Sequence, residues 1–139
     1  MAKNTPIAWR HLSFYQIYTR NFKGEGTFQD IIDDLPRIQS LGFDFIYLLP
    51  IHPVGEKNKK GTLGSNYSIQ DYRSIHPELG TIDDFKRLIQ ATHEAGLKIM
   101  IDIVFNHTAH DSILLKKHPE WYFYRDGKTT NRVGDWTDI

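Results

Sequence analysis

Three short apolar runs constrain this chain most: residues 13–22 (SFYQIYTRNF), 43–51 (FDFIYLLPI) and 97–105 (LKIMIDIVF). Each is rich in β-branched and aromatic residues and has the length of a strand. Between them lie two segments whose apolar residues recur every three or four positions. In the first, Phe28, Ile31, Ile32, Leu35, Ile38 and Leu41 mark one helical face, with Thr27 placed to cap its start and Gly42 to end it. In the second, Phe85, Leu88, Ile89, Thr92 and Ala95 do the same, opened by Thr81 with Asp84 three residues on and stopped by Gly96. The order strand, helix, strand, helix, strand predicts an α/β architecture with a parallel sheet and right-handed crossovers.

Local rules sharpen this outline. Pro36 lies inside the first helical pattern, where proline loses a backbone bond, so a kink or two short helices is expected, with Asp33 or Asp34 starting the second. The run at 43–51 is nearly unbroken and closes near Pro50, which predicts a strand covered on both faces. Residues 52–80 form a long, polar, glycine-punctuated loop, and a loop of that length suggests a task. Its lysines and glycines at 55–64 read as a solvated surface. After His107 the pattern dissolves, leaving one short helix near 112–117 and otherwise loop.

Composition excludes several classes of partner. Lysine plus arginine number 17 and aspartate plus glutamate also 17, so no long-range field favours nucleic acid or an anionic membrane. Cysteine is absent, which rules out disulfides and thiolate metal sites. No apolar run approaches the ~20 residues of a membrane span, and the first residues lack an export pattern, so a cytoplasmic home is the expectation. Seven tyrosines and three tryptophans supply flat amphipathic surface suited to core packing or to stacking on sugar rings.

In parallel α/β sheets, chemistry gathers in the loops at the carboxyl ends of the strands. Those ends deliver residues 21–25, His52 with its loop, and residues 102–107 to one rim. If the third strand continues far enough, alternation puts Asp102, Val104 and Asn106 on one face. A carboxylate inside a barrel must be paired or hydrogen-bonded. Asp102 is therefore either a structural anion, the favoured reading, or one of a cluster of active-site carboxylates. Cleaving a glycosidic bond takes two carboxylates flanking it, and no clear partner for Asp102 stands in this sequence. His107 can donate to a ligand hydroxyl, bind a metal or cap the loop. The spacing His107-Thr-Ala-His110 lacks a third ligand, which argues against zinc. Asn106 offers one oxygen to a hard cation, too few for a site by itself. No phosphate-binding glycine loop and no nucleophile elbow is present.

Taken together, these pieces resemble the start of the α-amylase superfamily of glycoside hydrolases. FYQIYTRNF resembles its first barrel strand, LPRIQSLGFDFIYLLPI its first helix and second strand, and GSNYSIQDYRSIHPELGTIDDFKRLI the loop and helix that follow. DIVFNH follows the pattern D-x-V-x-N-H at the end of the third strand, and HPEWYF resembles the start of the domain inserted after it. The resemblance implies the first three βα units of a (β/α)8 TIM-type barrel at 1–107, and the start of the inserted, loop-rich domain at 108–139. It further implies a retaining glycoside hydrolase or transglycosylase acting on α-glucosidic bonds of starch-like glucans or maltooligosaccharides. A non-catalytic relative using the barrel as a binding or interaction module is the alternative.

Roles follow position by position. Asp102 would support the catalytic machinery from the barrel floor rather than act as nucleophile. Tyr67 would stack beneath a sugar, with Asn66 standing before it where Gly or Pro is common. His107 would donate to that sugar's hydroxyls. Asp71 would hold a terminal glucose, and Asn106 matches a residue that binds calcium in many members; no cofactor is otherwise required. The family's nucleophile, acid/base and transition-state-stabilising carboxylates would all lie beyond Ile139. On this reading the chain is an amino-terminal fragment, inactive alone and prone to self-association through its uncovered barrel edge.

Overall fold

A computed structural model describes residues 6–130 and 139. It divides into two compact units: the described parts of Met1–Leu49 with Glu78–Asp102, and those of Pro50–Pro77 with Ile103–Ile139.

The first unit is a parallel three-stranded sheet in the order β1 (Phe14–Ile17), β2 (Phe45–Leu48), β3 (Lys98–Ile101), with helix α1 (Phe28–Ser40) between the first two strands and α2 (Ile82–Glu94) between the last two. Phe14 pairs with Phe45 and Phe45 with Lys98, and the register holds to Ile17, Leu48 and Ile101. Both helices begin with a reciprocal capping box. The Thr27 hydroxyl accepts from the Asp30 N–H while the Asp30 carboxylate accepts from the Thr27 N–H, and Thr81 with Asp84 repeats the arrangement. Each such cap contributes about 1 kcal/mol. Both end where Gly42 and Gly96 take positive φ, 79° and 74°.

The core of this unit joins one face of the sheet to the apolar stripe of the helices. Ile17, Ile46 and Leu48 are buried from the strands, and Phe28, Ile31, Leu35, Ile38 and Leu88 from the helices. The Phe28 and Phe85 rings meet at 5.4 Å. Each fully buried side chain of this size contributes roughly 1.5–3 kcal/mol.

Three expectations need correction here. First, β2 is not covered on both faces: Ile46 and Leu48 are buried, but Phe45 and Tyr47 are only half-buried, because one face alone packs against helices. Second, α1 is one continuous element across Pro36. Neither Asp33 nor Asp34 starts a second helix; Asp34 is buried and pairs with Lys23 at 2.8 Å and Arg37 at 2.5 Å, while Leu35 and Ile38 stay in the core on either side of the proline. Those anchors offset the roughly 3 kcal/mol that an interior proline costs.

Third, β3 stops at Ile101 although the apolar run continues to Phe105. The Asp102 N–H still donates to the Leu48 carbonyl at 2.8 Å. The next rung of a parallel ladder would need the N–H of Pro50, which has none. The strand therefore ends where its partner can no longer donate, and the face expected to carry Asp102, Val104 and Asn106 together does not form. Phe105 and Asn106, neighbours in sequence, are both exposed.

The second unit folds largely without regular ladders. Val54 and Ile69 make an isolated antiparallel bridge, the Gly55 N–H donates to the Ser68 carbonyl, and the Gln70 N–H to that of Pro53. Ala109 and Ile113 donate to the carbonyls of Ile69 and Gln70. Ile51, Val54, Ile69, Val104 and Ala109 are buried in this unit. Much of the long 52–80 stretch is thus a packed structure rather than an open loop. Helix α3 (Ile113–Lys117) starts at Ser112, whose hydroxyl accepts from the Leu114 N–H. Residues expected to be loop instead hold a hairpin, β4 (Tyr124–Arg125) with β5 (Lys128–Thr129). Its turn, Asp126-Gly127, takes positive φ at both positions, 51° and 74°, the chemistry a two-residue hairpin turn demands. The loop expected over 131–138 lies outside the described residues. Among the described residues no helix is long and apolar enough to cross a membrane.

Candidate functional site

Asp102 follows the last residue of β3 in the first unit and is half-buried. The Tyr47 hydroxyl, on the neighbouring strand, hydrogen-bonds its carboxylate. Burial first, and then this bond to an anion, raises the Tyr47 phenol above its ordinary range, so it stays a donor at neutral pH. Within this unit a neutral phenol therefore helps to hold the carboxylate that the sequence places at the end of an apolar run.

Tyr67, Asp71, Asn106 and His107 all belong to the second unit. Tyr67 is 36% exposed, in a turn where its N–H donates to the Ser65 hydroxyl at 3.2 Å and the Ser68 N–H to the Ser65 carbonyl at 2.9 Å. An aromatic ring that stays accessible on a braced backbone is suited to stacking.

Asp71 is half-buried and occupied by its own loop. The Ser74 hydroxyl donates to Oδ2 at 2.5 Å and the Arg73 N–H to Oδ1 at 2.9 Å. These two bonds, Ser74 first, hold its carboxyl below the usual carboxylate range, with smaller help from His52 and Lys117. Asp71 closes the 71–74 turn, with lone pairs left for a further donor.

Asn106 is exposed and His107 half-buried. The Asn106 side-chain amide lies 3.3 Å from His107 Nδ1. An amide nitrogen donates, so this contact matches the His107 tautomer in which Nδ1 is the acceptor. Among the described residues no three histidine, aspartate or glutamate side chains group closely enough to hold a metal ion. Asn106 offers a hard cation one exposed side-chain oxygen.

Two further side chains organise this unit. Tyr72 donates its hydroxyl to the Val104 carbonyl at 2.7 Å and lies 3.1 Å from that of His107. His52, only 7% exposed, uses Nδ1 at 3.0 Å to the Ser74 carbonyl, so that nitrogen bears the proton. Its Nε2 is buried and has no hydrogen-bond partner among the described residues. Sequence reasoning brought His52 to the rim without giving it a role and passed over Tyr72; the signal available was an aromatic residue directly after Asp71, which reads equally well as core. Asp111 was passed over too. Its Oδ2 accepts from the Glu56 N–H at 3.0 Å and from the Gln70 amide at 2.9 Å. Burial alone would raise this carboxyl, but those donors prevail and keep it low. Beside it, a side chain at Gly55 would collide with Ala109 and Asp111, so only glycine fits there.

Comparison with known proteins places this architecture. An alpha-amylase from Lactobacillus plantarum superposes with a TM-score of 0.90 at 52% identity, over 93% of this chain and 31% of its own. A noncanonic maltogenic alpha-amylase from Thermotoga neapolitana does so with a TM-score of 0.82 at 38% identity, over 87% and 29%. An alpha-1,4-glucan:maltose-1-phosphate maltosyltransferase from Cereibacter sphaeroides is 36% identical over 135 residues, which are 84% of this chain and 23% of that protein. The chain thus spans about a quarter or less of the curated relatives it matches and under a third of these solved structures. The parallel β1-β2-β3 sheet accordingly corresponds to the first three strands of an alpha-amylase TIM barrel. With the pattern for the alpha amylase catalytic domain matching residues 16–138, nearly the whole sequence, the chain belongs to the alpha-amylase family.

Proposed function

We propose that this chain supplies the amino-terminal part of the catalytic barrel in a longer enzyme that hydrolyses or transfers at α-glucosidic bonds of starch-like glucans or maltooligosaccharides with retention of configuration. The observation that carries the reading is the run from Asp102 to His107 at the carboxyl end of β3, the end where α/β barrels do their chemistry. In it Asp102 supports the reacting groups through its hydrogen-bonded, half-buried carboxylate, and His107 donates from Nε2 to sugar hydroxyls. Tyr67 offers its ring to a sugar face, and Asp71 adds an acceptor for a terminal glucose. The names of the relatives support an α-glucan substrate. The bond-breaking carboxylates belong to later strands, so the 139-residue chain alone binds at most. Calcium, if the whole protein holds it, would meet the oxygen of Asn106 together with ligands from elsewhere.

The test uses the full-length protein carrying this chain. His107→Ala is expected to lower kcat/KM on maltoheptaose by about tenfold to a hundredfold, the effect of one lost hydrogen bond to a substrate that leaves a polar group unpaired. The isolated 139 residues are expected to release no new reducing ends. An unchanged kcat/KM in the variant, or turnover by the isolated chain, would overturn the reading.

A further inference from the structure

Because β3 leaves the sheet at Ile101, the run that carries Asn106 and His107 lies outside any ladder, and something else must fix its backbone. Within the second unit one hydroxyl reaches two of its carbonyls: Tyr72 Oη lies 2.7 Å from the Val104 oxygen and 3.1 Å from the His107 oxygen. Those residues stand three apart in sequence, so a single phenol spans the turn with Phe105 and Asn106 at its apex.

Tyr72 is itself braced. The turn it belongs to is closed by Asp71, which accepts from Arg73 and Ser74, and the Ser74 carbonyl accepts from buried His52. The His52 ring packs against that of Tyr72 at 5.8 Å. The chain on either side of His52 is tied to the same segment, the Ile51 carbonyl accepting from the His76 N–H and the Pro53 carbonyl from the Gln70 N–H. This braced ring therefore ends in one donor shared between the Val104 carbonyl, at 2.7 Å, and that of the site residue His107, at 3.1 Å.

We infer that Tyr72 is the positioning residue for His107, an inference that rests on the role proposed above for that histidine. By holding both ends of the 104–107 turn, its hydroxyl sets where the imidazole stands and keeps Asn106 within reach of His107 Nδ1, and so keeps the ring's proton on Nε2. Displacement of such a donor by about 1 Å is enough to cost a large part of its contribution. The phenol touches no substrate and takes no proton; it acts through the histidine.

A double-mutant cycle in the full-length protein tests this, with steady-state turnover of maltoheptaose as the readout. Tyr72→Phe removes one oxygen and keeps the ring in place. It is expected to lower kcat/KM by about five- to tenfold, in proportion to one hydrogen bond. On a His107→Ala background the same change should have no further effect on kcat/KM, while the Tm decrements of the two substitutions add. A merely structural phenol would lower Tm without that coupling in kcat/KM. Full additivity in kcat/KM, or Tyr72→Phe at the activity of the unsubstituted protein, overturns the inference while leaving the histidine's role standing. Indifference to His107→Ala removes that role and the inference together. Should Tyr72→Phe fold too poorly for assay, 3-fluorotyrosine at position 72 keeps ring and hydroxyl but alters the donor. A change in kcat/KM that disappears in the His107→Ala background supports the inference, and its persistence there sinks it.

Discussion

The two units are held together by different physics. In the first, backbone ladders and two capped helices satisfy the main chain, and apolar side chains fill the space between sheet and helices. In the second, one isolated bridge and one short hairpin are the only strand pairings among the described residues, and scattered backbone bonds are supplemented by side chains: Asp111 to the 56 turn, Asp71 to the 73–74 turn, Tyr72 to the 104–107 turn, His52 to Ser74. The difference teaches where variation is cheap. A ladder tolerates exchange of side chains, because its bonds belong to the backbone; a side-chain brace is lost with the residue that makes it.

Three substitutions sharpen that contrast. The largest effect belongs to the first unit, where Phe28→Ala should remove about 3–5 kcal/mol, measured by urea unfolding, because the ring is fully buried against Phe85. A loss below about 1 kcal/mol would mean that the helical layer is not the core it resembles.

Next comes Asp34→Asn, expected to cost about 2 kcal/mol at neutral pH as its ion pairs with Lys23 and Arg37 are lost. Hydrogen bonds from Arg37, then Lys23, hold this carboxyl at about 2, below its unfolded value near 3.9. A depressed folded value means that the stabilisation is complete above pH ~4–5 and lost as pH falls towards ~2. The variant should therefore flatten the stability curve across that acid window and nowhere else; parallel curves for the two proteins would break the argument.

The smallest global effect belongs to the second unit. Asp111→Ala should lower overall stability by about 1–2 kcal/mol, yet hasten trypsin cleavage after Lys57 and Lys60 well before the first unit opens. Cleavage that only follows global unfolding would show that the brace is redundant.

The same division governs how much the sequence alone discloses. The three strands, the two long helices, the Thr27 cap, the Thr81–Asp84 capping box and both glycine stops were legible, because periodicity and caps are local signals that the ladder-built unit obeys. The overrun of β3 was not: Ile103 and Phe105 extend the apolar run, and only the pairing of β2 with β3 reveals that Pro50 cannot supply the next donor. The continuity of α1 was hidden likewise, since Lys23, one anchor of Asp34, is eleven residues away. The Asp126-Gly127 hairpin was legible and overlooked, its strands being too short to alternate. In the candidate site the sequence named Tyr67, Asp71, Asn106, His107 and Asp102 through a family pattern. The supporting Tyr72, His52 and Asp111 have partners 22 to 55 residues away, and no local rule reports such distances.

The close fit of Gly55 against Ala109 and Asp111 has a practical corollary for anyone who wishes to remodel this protein. Position 55 accepts no added atom, whereas a Cβ at Gly61, φ 64°, would meet nothing within 4 Å. An epitope, a fluorophore or a graft of foreign chain belongs at exposed Gly61, where length can grow without crowding the close contacts at Gly55.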